Sequence, residues 1–183
     1  MRIVAAGLLI PVLSSCATVP VGQLTSFEQV LAAHDSATLA LTEWCQRQGI
    51  AAAPVITATQ IGDERPAEPA GLREALAATA SEPLGFRHVR LACGNIVLSE
   101  ADNWYVPARL TPAMNAALAS TQIPFGRVAA PLGFHRERLA SERGSIPGCP
   151  SGTILRQRGL LRLPDGTPLS LVSECYLAAN LGG

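Results

Sequence analysis

Residues 153–178 constrain the fold more than any other stretch. Two runs, 153–163 and 168–178, alternate apolar and polar positions, and Pro164-Asp165-Gly166-Thr167 lies between them. An Asp-Gly pair between alternating runs is a strong hairpin signal, because glycine supplies the positive φ that a tight reversal needs. An isolated hairpin is marginal in water and needs further strands or a helix against its apolar face. The chain must therefore build an antiparallel sheet.

The remaining segments supply both kinds of element. Ser26 reads as a helix start with Gln29 as its capping-box partner, followed by Phe27, Val30 and Leu31 at helical spacing. His34-Asp35-Ser36 breaks this helix and caps a second, which carries Leu39, Leu41, Trp44 and Cys45 and stops at Gly49. Residues 54–60 are β-branched and alternate, which predicts a strand. Residues 61–71 read as a loop and 72–79 as a short helix. Residues 86–93 and 95–106 are two further strands broken at Gly94-Asn95. Thr111-Pro112 starts a helix with Met114, Ala117 and Leu118 as its apolar stripe. A tight Pro124-Phe125-Gly126 element follows, and residues 140–152 read as a glycine- and proline-rich loop. The fold class is α+β, an antiparallel sheet flanked by helices.

Two echoes occur within the chain. Residues 95–107 and 169–178 each carry an apolar run, Ser-Glu, then an aromatic and an aliphatic residue, and PLGF stands at both 83–86 and 131–134. These fit either two related halves or the chance product of period-2 patterning.

Composition removes several function classes. The 183 residues hold 14 basic and 14 acidic side chains, so no net charge attracts a polyphosphate, which argues against nucleic acid as a partner. All 14 basic residues are arginine. The absence of lysine excludes Schiff-base chemistry and a Walker-type phosphate lysine. His34, His88 and His135 are too dispersed for a metal cluster, and no metal site is expected. With 48% hydrophobic and 15% charged residues the chain is not disordered in character.

The first sixteen residues, MRIVAAGLLIPVLSSC, read as an address. Arg2 is a short positive region, residues 3–13 are an apolar run too short for a lasting span, and Leu13-Ser14-Ser15-Cys16 matches the lipobox of bacterial lipoproteins. That match implies a signal peptide at 1–15, acylation of Cys16, a lipidated tether over 16–25 and one domain over 26–183. It also implies a periplasm-facing lipoprotein, with Ala17 favouring the outer membrane. Four further cysteines, Cys45, Cys93, Cys149 and Cys175, fit two disulfides in an oxidising compartment. Three pairings are possible. Cys149–Cys175 is the first expectation, since the hairpin between them brings its ends together.

The ordered set of motifs resembles the chorismate lyase family (chorismate pyruvate-lyase). The match is carried by residues 155–177 (LRQRGLLRLPDGTPLSLVSECYL), by Arg87-His88-Val89-Arg90-Leu91 with the strand ending at Val106-Pro107, and by Pro124-Phe125-Gly126-Arg127. Asp35-Ser36-Ala37 with Gln48-Gly49 adds a weaker match. The resemblance implies a chorismate lyase-like fold and a carbon–oxygen lyase reaction without cofactor, in which pyruvate leaves chorismate to give 4-hydroxybenzoate. It implies Glu174 as the catalytic carboxyl, Arg87 as the carboxylate anchor, and Ala37 and Phe125 as positions whose backbone amides meet the ligand. A planar guanidinium suits a carboxylate. Period 2 puts Arg87, Val89, Leu91 and Cys93 on one strand face and His88 and Arg90 on the other, so Arg90 is the rival anchor. Glu174 could instead face outward. Glu100 with Asp102 reads as a routine pair of exposed strand charges, and Trp104 and Tyr105 as packing. Chorismate is cytoplasmic whereas a lipoprotein domain lies outside the inner membrane. The alternative function is therefore an envelope lipoprotein that binds a small aromatic carboxylate in the same pocket without turnover.

Overall fold

The computed structural model describes residues 21–62 and 65–182. The signal peptide at 1–15 and the lipidated Cys16 lie outside the described residues. In chain order the elements are α1 (Val21–Ala33), α2 (Ala37–Gln48), β1 (Ile56–Gln60), α3 (Leu72–Ala75), β2 (Gly85–Cys93), β3 (Ile96–Tyr105), α4 (Pro112–Ser120), α5 (Phe125–Ala129), β4 (His135–Arg143), β5 (Thr153–Arg162) and β6 (Pro168–Leu177). Six strands form one sheet in the order β1-β2-β3-β6-β5-β4, and every neighbouring pair is antiparallel. The hairpin read at 153–178 is β5–β6. Its turn is closed by Gly166 at φ 85° and by Asp165 Oδ1, which accepts from the Thr167 amide at 2.9 Å.

Three sequence expectations need correction. The first helix is already formed at Val21, the first described residue, rather than starting at Ser26, so residues 21–25 of the expected tether are helical. Ser26 sits inside that helix, where its hydroxyl donates to the Gly22 carbonyl at 2.9 Å rather than capping anything. The helix expected over 72–79 is a single turn, Leu72–Ala75, and Ala77 then takes φ 45°. The first four residues of the expected loop at 140–152 are strand, because β4 runs to Arg143. This strand has no apolar alternation to read: it is a sheet edge, mostly exposed, and charged in the way edges resist further pairing.

The sheet buries both faces. On one, α1 and α2 pack Phe27, Leu41 and Trp44 onto Ala58, Val89, Leu155 and Tyr176. Beside them α4 and α5 pack Leu118, Phe125 and Ala129 onto Leu161 and Val172. The opposite face is covered near α3, where Leu72 and Leu76 meet Trp104, Leu160 and Leu171. Trp44 is the joint of the first cluster. Its ring lies 5.1 Å from that of Phe27 and its indole N–H donates to the Asn180 carbonyl at 2.8 Å. Gly49 at φ 61° ends α2 where the sequence placed its stop.

β3 and β6 meet at the centre, each the end of a three-strand run, so the halves seen in the sequence have a topological counterpart. The Ser-Glu echo does not. Ala101, not Glu100, stands opposite Glu174. The one-residue offset sends Glu100 to the other face, where it accepts from Arg90 at 2.7 Å.

Two disulfides tie the layers. Cys149–Cys175 fastens the loop after β4 to β6, as the hairpin argument expects, and Cys45–Cys93 fastens α2 to β2. The second bridge spans a sequence separation of 48 residues. A loop of that size stabilises by about 4 kcal/mol on the chain-entropy model. Replacing Cys45 and Cys93 together by alanine is expected to lower unfolding stability by about that amount. Denaturant titration checks it, and an unchanged midpoint would refute the bridge's contribution.

Candidate functional site

The starts of α2 and α5 meet above the middle of the sheet, and a cavity of about 50 Å³ lies beneath them. Its floor is Arg87, Val89 and Leu91 of β2, Ala101 and Asn103 of β3, and Val172 and Glu174 of β6. Its roof is Ser36–Thr38 at the start of α2 and Pro124–Gly126 at the start of α5. Phe134, Arg136 and Leu161 close it toward β4. An open groove of about 580 Å³ reaches the same place from outside, past Gln60, Tyr105 and Thr121, and also touches Arg87.

Four of the sequence-picked residues gather here: Glu174, Arg87, Ala37 and Phe125. Arg90 does not. It points to the opposite face, half-exposed, and is paired with Glu100. Strand parity decides between the two arginines, as the alternation of β2 requires.

Glu174 is 5% exposed and faces the cavity, but it is not a free carboxyl. Arg136 holds it through both guanidinium ends: Nη1 donates to Oε1 at 3.1 Å and Nη2 donates to Oε2. The Tyr176 hydroxyl donates to Oε2 at 3.2 Å. Both partners of this ion pair are buried. Burial works against the charge on Arg136, and the adjacent Glu174 carboxylate more than offsets it, so the guanidinium is held above its ordinary range. Burial and the same carboxylate push the Tyr176 phenol well above its usual range. Room for Arg136 comes from Gly159 of β5. A Cβ there would lie 2.7 Å from Arg136 Nε.

Arg87 is the opposite case. It is 6% exposed, and no carboxylate pairs with it among the described residues. Among the described residues its one hydrogen bond is Nη1 donating to the Ile123 carbonyl at a long 3.5 Å, and its Nε is buried without a partner. Burial pushes its proton affinity down, only partly offset by Tyr105. Ser36 stands over the cavity as the residue before α2, makes no capping bond, and its buried hydroxyl has no partner. The first amides of α2 therefore keep their positive ends free beside an unpaired cation. Gly126 lets α5 approach this point. A Cβ on it would lie 2.2 Å from Ser36 Oγ.

Sequence reading missed Arg136, Asn103, Ser36 and Tyr176 as site residues. A signal for Arg136 existed: it stands two residues after Phe134, on the same face at period 2, and closely follows the second PLGF, whereas Arg87 directly follows the first. The missing knowledge was that β4 is a strand.

Comparison with known structures assigns the fold. The chain superposes on PhnF from Mycobacterium smegmatis with a TM-score of 0.57 at 10% identity, covering 81% of this chain and 66% of that one. The effector domain of the same protein gives 0.55 at 11% identity, covering 79% and 90%. The C-terminal domain of the histidine utilization repressor from Pseudomonas syringae pv. tomato gives 0.50 at 10% identity, covering 68% and 93%. The fold is thus the chorismate lyase-like fold of GntR-family regulator C-terminal domains. No family model matches the sequence. The chain is 39% identical over 166 residues to the uncharacterized protein y4mC of Sinorhizobium fredii (strain NBRC 101917 / NGR234), covering 80% of this chain and 70% of that protein. It belongs to the same family as y4mC.

The Arg136–Glu174 pair generates a prediction. Glu174→Gln leaves a buried guanidinium uncompensated and is expected to cost about 3–5 kcal/mol. Replacing both residues by methionine removes both charges and is expected to recover most of that loss. Unfolding free energies of the single and double variants decide it. Equal losses in both would show that the pair's charges do not govern the site.

Proposed function

We propose that this protein is a small-molecule binding protein that takes an organic anion, such as an aromatic carboxylate, at Arg87. The observation that carries the reading is Arg87 itself: a buried cation with no protein counter-charge, facing a cavity roofed by an uncapped helix start. A buried unpaired charge is costly, and a ligand carboxylate offsets that cost with a bidentate geometry that guanidinium matches. Arg87 lies where cavity and groove meet, so the anionic group sits at the arginine and the rest of the ligand extends into either space. The effector-domain fold of the structural neighbours supports binding rather than turnover.

A lyase is the second reading, favoured by the presence of Glu174 and Arg87 in one cavity. Against it stands the occupation of both Glu174 oxygens by Arg136 and Tyr176. Calorimetry with benzoate and 4-hydroxybenzoate, beside incubation with chorismate, separates the two. Binding reads as saturable heat without product. Lyase chemistry reads as equimolar pyruvate and 4-hydroxybenzoate that disappear in Glu174→Gln. For the binding reading, Arg87→Met is expected to weaken affinity at least tenfold, about 1.4 kcal/mol. The same change is expected to raise the thermal midpoint, because it removes an unpaired buried charge. Unchanged affinity would sink the assignment.

We also propose that the protein is an acylated envelope lipoprotein anchored through Cys16. The lipobox order of residues 13–16 supports this, and two disulfides agree with an oxidising compartment. Wild-type protein is expected in the membrane fraction and Cys16→Ser in the soluble fraction. Identical partitioning of the two would overturn the anchor.

A further inference from the structure

We propose that Asn103 is the second ligand donor of this cavity and restricts it to anions that can accept from Arg87 and a neutral amide together. The inference rests on the anion-binding reading of Arg87 and adds a specificity-determining residue to it.

Asn103 stands directly opposite Arg87 on the neighbouring strand. Side chains so placed share a face and start about 5 Å apart. Asn103 is 4% exposed and lines the cavity. Its Oδ1 accepts from the Ser170 hydroxyl. No acceptor among the described residues takes its Nδ2. The amide N–H₂ is therefore a donor open to the cavity that Asn103 lines, while its carbonyl is fixed by Ser170.

Fully buried polar atoms without partners line the same cavity. Arg87 Nε is unpartnered, as is Ser36 Oγ. Glu174, the one carboxylate on the cavity floor, is already taken by Arg136 and Tyr176. Donors thus exceed acceptors at this end of the cavity, and the missing acceptors must arrive with the ligand. A carboxylate offers about four lone-pair sites, enough for a guanidinium, an amide and a hydroxyl. A neutral amide of the same shape offers fewer and leaves Arg87 uncompensated. Asparagine adds a donor without adding charge, so the site is matched to one negative charge. Aspartate at the same position would supply the missing anion from within and close the site.

The test uses benzoate and its neutral analogue benzamide against wild type, Asn103→Asp, Asn103→Ala and Arg87→Met. Wild type is expected to bind benzoate and to reject benzamide. Asn103→Ala should weaken benzoate roughly tenfold. Asn103→Asp should abolish benzoate binding while raising the thermal midpoint near neutral pH. That gain comes from an aspartate whose pKa is depressed in the fold by Arg87. It is therefore present above the ordinary aspartate pKa of about 3.9 and lost as pH falls through the lower, folded value. If Asn103 merely supports Ser170, Asn103→Asp lowers the midpoint, adds no such acid-sensitive gain and leaves benzoate affinity unchanged; that result overturns the proposal. Should Arg87→Met lose benzoate while both Asn103 variants keep it, the Asn103 role falls and the Arg87 site stands. Should wild type bind no benzoate at all, the Arg87 reading is what fails for this ligand, and the direction of the Asn103→Asp midpoint still decides whether position 103 faces an unpaired cation.

Discussion

The site is organised around a buried ion pair that crosses the sheet. Arg136 starts on the edge strand β4, passes over Gly159 of β5 and grips Glu174 on the central strand β6. Its backbone N–H meanwhile donates to Asp35 Oδ1 at 2.8 Å, in the link between α1 and α2. One residue thus fastens the exposed edge, the middle of the sheet and the roof of the cavity. Such a pair is weak support for stability in itself, because desolvation consumes much of the attraction. Its consequence lies in what it fixes. With Glu174 held by Arg136 and Asp35 accepting from the Arg136 amide, no carboxylate among the described residues pairs with the cavity's other arginine.

That imbalance gives the cavity its chemistry. Two guanidiniums and one inward-facing buried carboxylate share a space walled by Val89, Leu91, Ala101 and Val172. In water an unpaired arginine is unremarked, but in a medium of low polarity it attracts any anion that fits. The start of α2 strengthens the attraction, since Ser36 does not use its hydroxyl to cap the helix and Asp35 is engaged by the Arg136 amide. The close approach of α5 to this point depends on the missing side chain of Gly126. Binding and stability therefore pull apart at Arg87: the residue that makes the cavity useful is one the empty fold is better without.

The fold is shared with proteins at about a tenth sequence identity, so it carries no information on what is bound. What it does explain is placement. Two three-strand runs meeting at β3–β6 put the end of each run beside the other, and the cavity forms over that junction, beneath the starts of α2 and α5. The opposite face carries ordinary cross-strand pairs such as Arg90–Glu100 and His88–Asp102, partly open to solvent.

The sequence by itself determined the antiparallel sheet, most strand positions, the break before Ala37, the stop at Gly49, the Asp165-Gly166 reversal and the face of β2 that carries Arg87. These are local: periodicity, turn chemistry and helix stops act within a few residues. It could not place Ser26 inside α1, since Ser26 is an equally good cap or interior residue until Trp44 and Tyr176 give Phe27 somewhere to pack. It could not reveal β4, because a charged edge strand has no apolar rhythm. Only the tertiary structure chose the disulfide partners, rejected Arg90, and set Arg136 against Glu174 across 38 residues of chain. The physical reason is the same throughout. Burial and charge compensation are properties of neighbours in space, and here the decisive neighbours lie on strands that sequence order does not bring together.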